Sequence, residues 1–151
     1  METVIGIVAH ETGRLAVLGP PLRFAAGTYQ SGADRHTVSI RDSRSTPAGA
    51  AGAVRRLVED DHAALVLTLG GTATVPAVAR ACAEFGVPCL STTLPWQVLG
   101  ARRGLSFHAC WGLDDIAAAF ASAWARVPGL AAVGCLWNAG AQGAALRSAD
   151  S

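Results

Sequence analysis

Short apolar runs alternate along the chain with longer segments in which apolar residues recur at helical spacing. The apolar runs predict strands at residues 4–9, 37–40, 64–69, 89–91 and 131–137. The helical spacing predicts helices that include residues 18–29, 54–58, 75–85 and 113–127. Each predicted helix has an apolar stripe on one side, so each is expected to bury that side against a sheet.

Capping residues support these helices. Thr46 stands directly before Pro47, and Thr74 precedes Pro76, which is the arrangement expected at a helix start. The glycine and proline of Gly86-Val87-Pro88 end the third helix. Strands that alternate with helices predict parallel pairing through right-handed crossovers. The pattern therefore predicts a single α/β domain over residues 1–151, a three-layer, doubly wound, mostly parallel sheet with strands 4–9 and 64–69 as central neighbours.

Composition limits the classes of function. The chain has 151 residues, of which 51% are hydrophobic and 15% charged, with a net charge of +1. This composition is that of a folded domain, and it lacks the basic excess that nucleic-acid binding requires. The longest apolar stretches fall short of the roughly 20 residues that span a bilayer, and no leader pattern opens the chain. We therefore expect no nucleic-acid partner, no membrane insertion and, for the chain as it stands, a cytoplasmic location.

The cysteines do not form a metal-binding pattern. Cys82, Cys89, Cys110 and Cys135 include no CxxC pair and no His/Cys cluster with zinc-ligand spacing. Each lies in an apolar run, so we expect buried, reduced side chains and no bound metal.

The ends of the predicted strands are where a ligand is expected, because open parallel sheets bind ligands beyond their carboxyl edge. After the first strand, the segment from His10 to Arg14 lacks the GxGxxG pattern of dinucleotide sites and the paired carboxylates of phospho-acceptor receivers. We therefore expect no nucleotide cofactor. After the third strand, Gly70-Gly71-Thr72-Ala73-Thr74 combines flexible backbone with a helix start, which suits a carboxylate or another small anion. After the fourth, Ser91-Thr92-Thr93 supplies hydroxyl groups. Both segments are also compatible with tight turns alone.

Several motifs give the chain a family resemblance. It resembles the first lobe of type I solute-binding proteins of ABC transporters, the leucine/isoleucine/valine-binding type. The early motifs that carry this resemblance are Thr12-Gly13 with Gly19 beyond, the segment 70–74, and the segment 86–91. More specific are the Ser-Thr-x-x-Pro-Trp pattern at 91–96, the run from Phe107 to Asp115, and Leu136-Trp137, which are similar to one bacterial branch. The resemblance covers nearly the whole chain but half or less of the family's length, and Asn138–Gln142 replaces the branch's acidic residues.

The resemblance implies a type I binding-protein lobe of flavodoxin-like topology that holds a ligand carboxylate through hydroxyls and backbone N–H groups. It places Gly71, Thr72, Ser91 and Thr92 at the first-lobe positions and makes Trp96 and Trp111 candidate apolar walls. The predicted ligand is a small organic anion or an amino-acid-like compound. With the strand-end residues included, the predicted site consists of His10, Gly71, Thr72, Ser91, Thr92, Thr93, Trp96 and Trp111.

Two further expectations concern assembly and catalysis. A lone lobe lacks the second face of the family's cleft, so we expect a homodimer that covers the stripes at 113–127 and 131–137. The alternative is that Trp124 and Trp137 pack against the sheet of their own subunit. The alternative function is a small cytoplasmic enzyme with Cys/His or His/Glu acid–base chemistry. Its candidate residues are His10, Glu11, Cys89, His108, Cys110 and Asp114, although the chain has no GxSxG or HExxH motif.

Overall fold

The computed structural model describes residues 3–32, 36–92, 105–110, 113–134, 136, 139–140 and 143. Its contacts divide the chain into two compact units, Met1–Cys110 and Trp111–Ser151. The first unit contains the sheet, and the second contains one described helix. In the described part of the chain, no helix is both long enough and apolar enough to span a membrane.

The strands and helices alternate as the apolar pattern predicts. The strands are β1 (Thr3–Ala9), β2 (His36–Asp42), β3 (Ala63–Thr68), β4 (Cys89–Ser91) and β5 (Ser106–His108). The helices are α1 (Gly19–Gly32), which follows a 3-10 turn at Ala16–Leu18, α2 (Pro47–Glu59), α3 (Val75–Phe85) and α4 (Leu113–Trp124).

All strand pairs are parallel, and their order across the sheet is β2-β1-β3-β4-β5. The predicted pairing of β1 with β3 as central neighbours is confirmed. The chain leaves β1 towards its neighbour β2, and it leaves β3 in the opposite direction across the sheet, towards β4. The carboxyl ends of β1 and β3 therefore flank the topological switch point, where a crevice opens in sheets of this order.

Helices cover both faces of the sheet, which confirms the doubly wound, three-layer fold. On one face, α2 and α3 bury Leu57 and Val78 against Val8 and Val66 of the strands. On the other face, α1 packs Ala26 against a smaller cluster that includes Ile7. Successive strand residues point to opposite faces, so β1 contributes Val8 to the first core and Ile7 to the second.

The start of α2 and the end of α3 follow the predicted capping, whereas Thr74 precedes α3 without a side-chain capping bond because its Oγ1 bonds Gly71 instead. The Oγ1 of Thr46 accepts a hydrogen bond of 3.0 Å from the Gly49 backbone N–H, and Pro47 begins α2. Gly86 ends α3 with a φ of 68°, a conformation that glycine adopts without strain. Helix α3 occupies Val75–Phe85, the predicted range.

The predicted strand at residues 131–137 is wrong in the part that is described, because residues 131–134 form no strand. The fifth strand is instead β5, where Cys89 N–H donates to Leu105 O at 2.8 Å and Ala109 N–H donates to Ser91 O at 2.9 Å. An apolar run forms a strand only when a neighbouring strand pairs with its backbone, and hydropathy alone does not reveal that neighbour. Helix α4 ends at Trp124, and hydrogen-bonded turns continue to Val127.

Candidate functional site

Polar residues are buried at one edge of the sheet. Within the described ranges, every buried polar residue lies at the carboxyl edge, either at the end of a strand or in the connection that follows it. Ser43 follows β2, Thr68 and Ser91 end β3 and β4, and Thr74 lies at the start of α3; the remaining member is His10, directly after β1. Burying polar groups costs free energy unless they are hydrogen-bonded, so this concentration marks the carboxyl edge as chemically distinct from the rest of the fold.

His10 joins the turns that follow β1, β2 and β3. Its side chain is only 1% exposed. The Oγ of Ser43 lies 2.7 Å from Nδ1, and the Oγ1 of Thr74 lies 3.5 Å from Nε2. The structure thus places His10 beneath the turns at the switch point, and its predicted contact with a ligand stays a prediction.

The surroundings of His10 favour the neutral imidazole. Burial lowers the pKa of His10 by disfavouring the charged form, and this effect exceeds the opposing attraction of Asp42. The guanidinium of Arg14 lowers the pKa further. At neutral pH the ring is therefore a hydrogen-bonding bridge without charge.

Asp42 fixes the loop that follows β1. Its Oδ1 accepts hydrogen bonds from the backbone N–H groups of Glu11, Thr12 and Arg44 at 3.0, 3.3 and 2.8 Å, and its Oδ2 accepts one from Thr12 Oγ1 at 2.6 Å. Burial opposes ionisation of this carboxyl, but the hydrogen bonds from Thr12 and Arg44 outweigh it and lower the pKa of Asp42. The Oγ of Ser45 adds a bond of 2.7 Å to the Thr12 carbonyl.

The Gly70–Thr74 turn offers backbone donors to a ligand. Gly71 N–H donates to Thr74 Oγ1 at 3.0 Å, while Thr74 N–H donates back to Gly71 O at 3.0 Å. The backbone N–H groups of Thr72 and Ala73 have no partner among the residues the structure describes. The Nη2 of Arg14 lies 4.0 Å from the point that a Cβ on Gly71 would occupy. Two N–H groups in the turn before α3, beside a guanidinium, suit an anion.

The turn after β4 adds hydroxyl groups to the same edge. Thr68, Ser91 and His108 lie side by side in the register of β3, β4 and β5. Thr92 is exposed, and its N–H donates to Thr68 O at 3.0 Å while its Oγ1 lies 3.4 Å from the same oxygen. The hydroxyl of Thr92 is therefore accessible from solvent beside the end of β3.

The structure brings five of the predicted site residues to the carboxyl edge: His10, Gly71, Thr72, Ser91 and Thr92. Thr93, Trp96 and Trp111 lie outside the described residues. Sequence reasoning missed Arg14, Asp42, Ser43 and the bridging role of Thr74. A signal existed for Asp42 and Ser43, because an Asp-Ser pair directly after a strand is a common turn-forming element.

The described side chains of the enzyme alternative have other partners than one another. The expected burial is confirmed for Cys82 and Cys89, whose thiols interact, but it is wrong for Cys110, which is exposed beyond the end of β5 and donates from Sγ to Thr92 O at 3.2 Å. Glu11 pairs with Arg23, while the side chain of Asp114 is outside the described residues. Nδ1 of His108 is buried and has no hydrogen-bond partner among the described residues, and burial lowers the pKa of His108. Across the described ranges, no histidine side chain is hydrogen-bonded to a cysteine or a glutamate, and no group of three or more His, Cys, Asp and Glu could bind a metal ion.

Comparison with known proteins identifies the fold. No family model and no curated protein matches the chain. Among solved structures, the leucine-binding protein LivK of Thermotoga maritima superposes with a TM-score of 0.72 at 17% identity, over 82% of this chain and 37% of its own length. The chain has the fold of a type I solute-binding-protein lobe. The resemblance inferred from the motifs is confirmed at the level of structure.

Other solute-binding proteins give the same result. LivJ of Streptococcus pneumoniae, solved with isoleucine, has a TM-score of 0.67 at 20% identity over 76% of this chain and 35% of its own. A Rhodopseudomonas palustris protein, solved with 4-hydroxybenzoate, has a TM-score of 0.65 at 17% identity over 82% of this chain and 36% of its own. The chain thus spans little more than a third of the length of these proteins.

Proposed function

We propose that this lobe binds a small organic anion or an amino-acid-like compound at the carboxyl edge of its sheet. The observation that carries the proposal is the confinement of the described buried polar residues to that edge, at the switch point between β1 and β3. Sheets of this topology bind ligands at that point. Among the described residues, the rest of the buried interior is apolar and offers no comparable set of donors.

The ligand's carboxylate would lie against the start of α3. There it accepts hydrogen bonds from the backbone N–H groups of Thr72 and Ala73, and Arg14 supplies positive charge close to Gly71. The exposed hydroxyl of Thr92 lies at the neighbouring strand end and would orient a polar group of the ligand. Trp96 and Trp111 are the proposed apolar walls.

The ligands of the solved neighbours support this choice of chemistry. Those structures contain isoleucine, 3,4-dihydroxybenzoic acid and 4-hydroxybenzoate. Their apolar parts differ, but all three compounds carry a carboxyl group. A site built around carboxylate recognition is consistent with this set.

A second face would complete the cleft, and we propose that a second copy of the chain supplies it. The subunit mass is 15.4 kDa, so sedimentation at micromolar concentration should give about twice that value. A stable species of one subunit mass would contradict the homodimer.

The cytoplasmic location also stays a prediction, which fractionation of the native cells would test.

Isothermal titration calorimetry tests the proposed site. We expect saturable binding of 4-hydroxybenzoate or isoleucine and no binding of the corresponding neutral amide, 4-hydroxybenzamide. Thr92→Val should weaken binding about tenfold, because it removes the hydroxyl proposed to orient a polar group of the ligand. Thr3→Val is the matched control, since Thr3 is exposed at the opposite edge of the sheet. Equal binding of the neutral amide, or equal losses in Thr3→Val, would contradict the proposal.

A further inference from the structure

The imidazole of His10 lies in direct contact with the turn proposed to bind the ligand. A Cβ at Gly70 would stand 3.3 Å from His10 Nε2 and 2.8 Å from Thr74 Oγ1. No side chain fits between the ring and the turn, so a movement of the ring displaces the turn. The main chain of His10 is equally confined, because a Cβ at Gly19 would stand 2.8 Å from the His10 carbonyl oxygen.

The hydrogen bonds around the ring are satisfied by one neutral tautomer. Ser43 Oγ accepts from Ser45 N–H at 3.3 Å, so its own hydrogen is available to donate to Nδ1. Thr74 Oγ1 accepts from Gly71 N–H and donates to Gly71 O at 3.2 Å. The Nε2–H of the ring therefore donates to Thr74 Oγ1, and Nδ1 accepts from Ser43.

Protonation would reverse the hydrogen bond at Nδ1. The ring would become the donor across the 2.7 Å contact, and the Ser43 hydroxyl would have to rotate so that its oxygen accepts. The ring would also carry a charge in a site that water does not reach.

The charged groups around the ring do not compensate for that charge. Asp42, at the end of β2, is the nearest source of attraction, but both of its oxygens already accept hydrogen bonds from the loops. Arg14, on the loop after β1, repels the imidazolium. Arg44 stands beside Asp42, and Glu11 is paired with Arg23.

We propose that His10 is a positioning residue for the Gly70–Thr74 turn, and that the neutral ring keeps this turn in its binding shape while the protonated ring releases it. The proposal rests on the proposed function, because it makes anion binding at this turn sensitive to pH. Ligand affinity should accordingly fall as the pH drops through the range in which His10 takes up a proton. This direction is opposite to that of a histidine that contacts an anion directly.

The first experiment needs no ligand. In the full chain, two-dimensional NMR between about pH 7.5 and about pH 5 should show the Gly71 amide and the His10 ring titrating with one midpoint. His10→Gln should abolish the titration of Gly71. His62→Asn is the matched control and should leave it intact, since His62 is exposed and has a φ of 56°, which asparagine tolerates. A Gly71 amide that does not follow His10 would overturn the proposal.

The second experiment uses 4-hydroxybenzoate as the probe. Its carboxylate stays ionised over the range, so a change in affinity reports on the protein. From about pH 7.5 to about pH 5.5, we expect affinity to fall about fivefold or more in the wild type and in His62→Asn, but not in His10→Gln. A wild-type affinity that rises or stays constant as the pH falls, or a fall in His10→Gln as large as that in the wild type, would overturn the positioning role. Failure to bind at any pH would count against the proposed function alone, because the NMR titration decides the role of His10 independently.

Discussion

The apolar body of the sheet and its carboxyl edge are built from the same strands but differ in what they bury. The body buries side chains such as Leu57, Val66 and Val78, which contact only other apolar groups. The edge buries an imidazole and hydroxyl groups, of which His10 and Ser43 contact each other. The boundary falls within single strands: in β3, Val66 belongs to the body and Thr68 to the edge.

This difference assigns stability and specificity to separate regions. Burial of apolar area contributes most of the folding free energy, at about 25 cal/mol per Å². A satisfied buried hydrogen bond contributes only about 1 kcal/mol net, while an unsatisfied one costs more than that. The edge is therefore a region whose hydrogen bonds stabilise the fold little but define the positions of the turns closely. The following predictions test that division, beginning with the largest effect.

Leu57→Ala should show how strongly the apolar body stabilises the fold. Leu57 is fully buried in the α2–α3 core, so its truncation leaves a cavity and should lower the free energy of unfolding by about 2–5 kcal/mol. Chemical denaturation measures this loss. Val17→Ala is the control, because Val17 is 76% exposed and its truncation should change stability by less than about 0.5 kcal/mol. Ligand affinity per folded molecule should stay unchanged in both variants, and a loss of affinity in Leu57→Ala would contradict the division.

Gly49→Ala should strain the contact between the first turn of α2 and the Ser43 turn at the carboxyl edge. A Cβ at residue 49 would lie 2.0 Å from the Ser43 carbonyl oxygen, so either the helix or the Ser43 turn must move. We expect a loss of about 1–3 kcal/mol in unfolding free energy. Gly52→Ala on the same helix has no atom within 4 Å of the new Cβ, and it should instead stabilise the protein by up to about 1 kcal/mol. If both substitutions had the same effect, close packing at Gly49 would be refuted.

Acid should lower the free energy of unfolding through protonation of His10. Because its pKa is lower in the folded protein than in the unfolded chain, the unfolded state binds the proton first as the pH falls. The contribution of His10 is complete above the unfolded pKa of about 6.5 and is lost as the pH falls towards the folded pKa. The difference between wild type and His10→Gln in urea denaturation isolates this contribution from that of His108, whose pKa is shifted in the same direction. A pH-independent difference would contradict the assignment.

The smallest effect is expected for the ion pair between Glu11 and Arg23. The Arg23 side chain is largely exposed, and solvent screens such pairs, so Arg23→Gln should cost less than about 1 kcal/mol. Added salt should reduce even this difference. A larger cost would show that the exposed rim of the edge stabilises the fold, contrary to the division drawn above.

The body could be predicted from the sequence because its determinants are local. The spacing of Val75, Val78 and Cys82 defines one face of α3, and the flanking Thr74 and Gly86 mark its ends. Residues 131–134 have the apolar character of a strand without its pairing, and β5 is too short to give a period. Pairing depends on a neighbour distant in the chain, which hydropathy does not record.

The edge could be predicted in position but not in detail. Because strand ends of a parallel sheet meet at one edge, the grouping of Gly71, Thr72 and Ser91 followed from the order of elements. The contact of His10 with Ser43 joins residues 33 positions apart, and that of His10 with Thr74 joins residues 64 apart. Such contacts exist only after the turns fold together, so no local pattern identifies His10 as a buried bridge.

The most direct test of the ligand site is an NMR map of the isotope-labelled chain titrated with 4-hydroxybenzoate at neutral pH. If a carboxylate binds at the switch point, the amides of Thr72, Ala73 and Thr92 at the carboxyl edge should show saturable shifts. The amides of Thr3 and Ala63, which begin β1 and β3 at the opposite edge, should stay unchanged. Shifts that cluster around Thr3 and Ala63 instead, or no saturable shift anywhere, would contradict the placement of a carboxylate-binding site at the switch point.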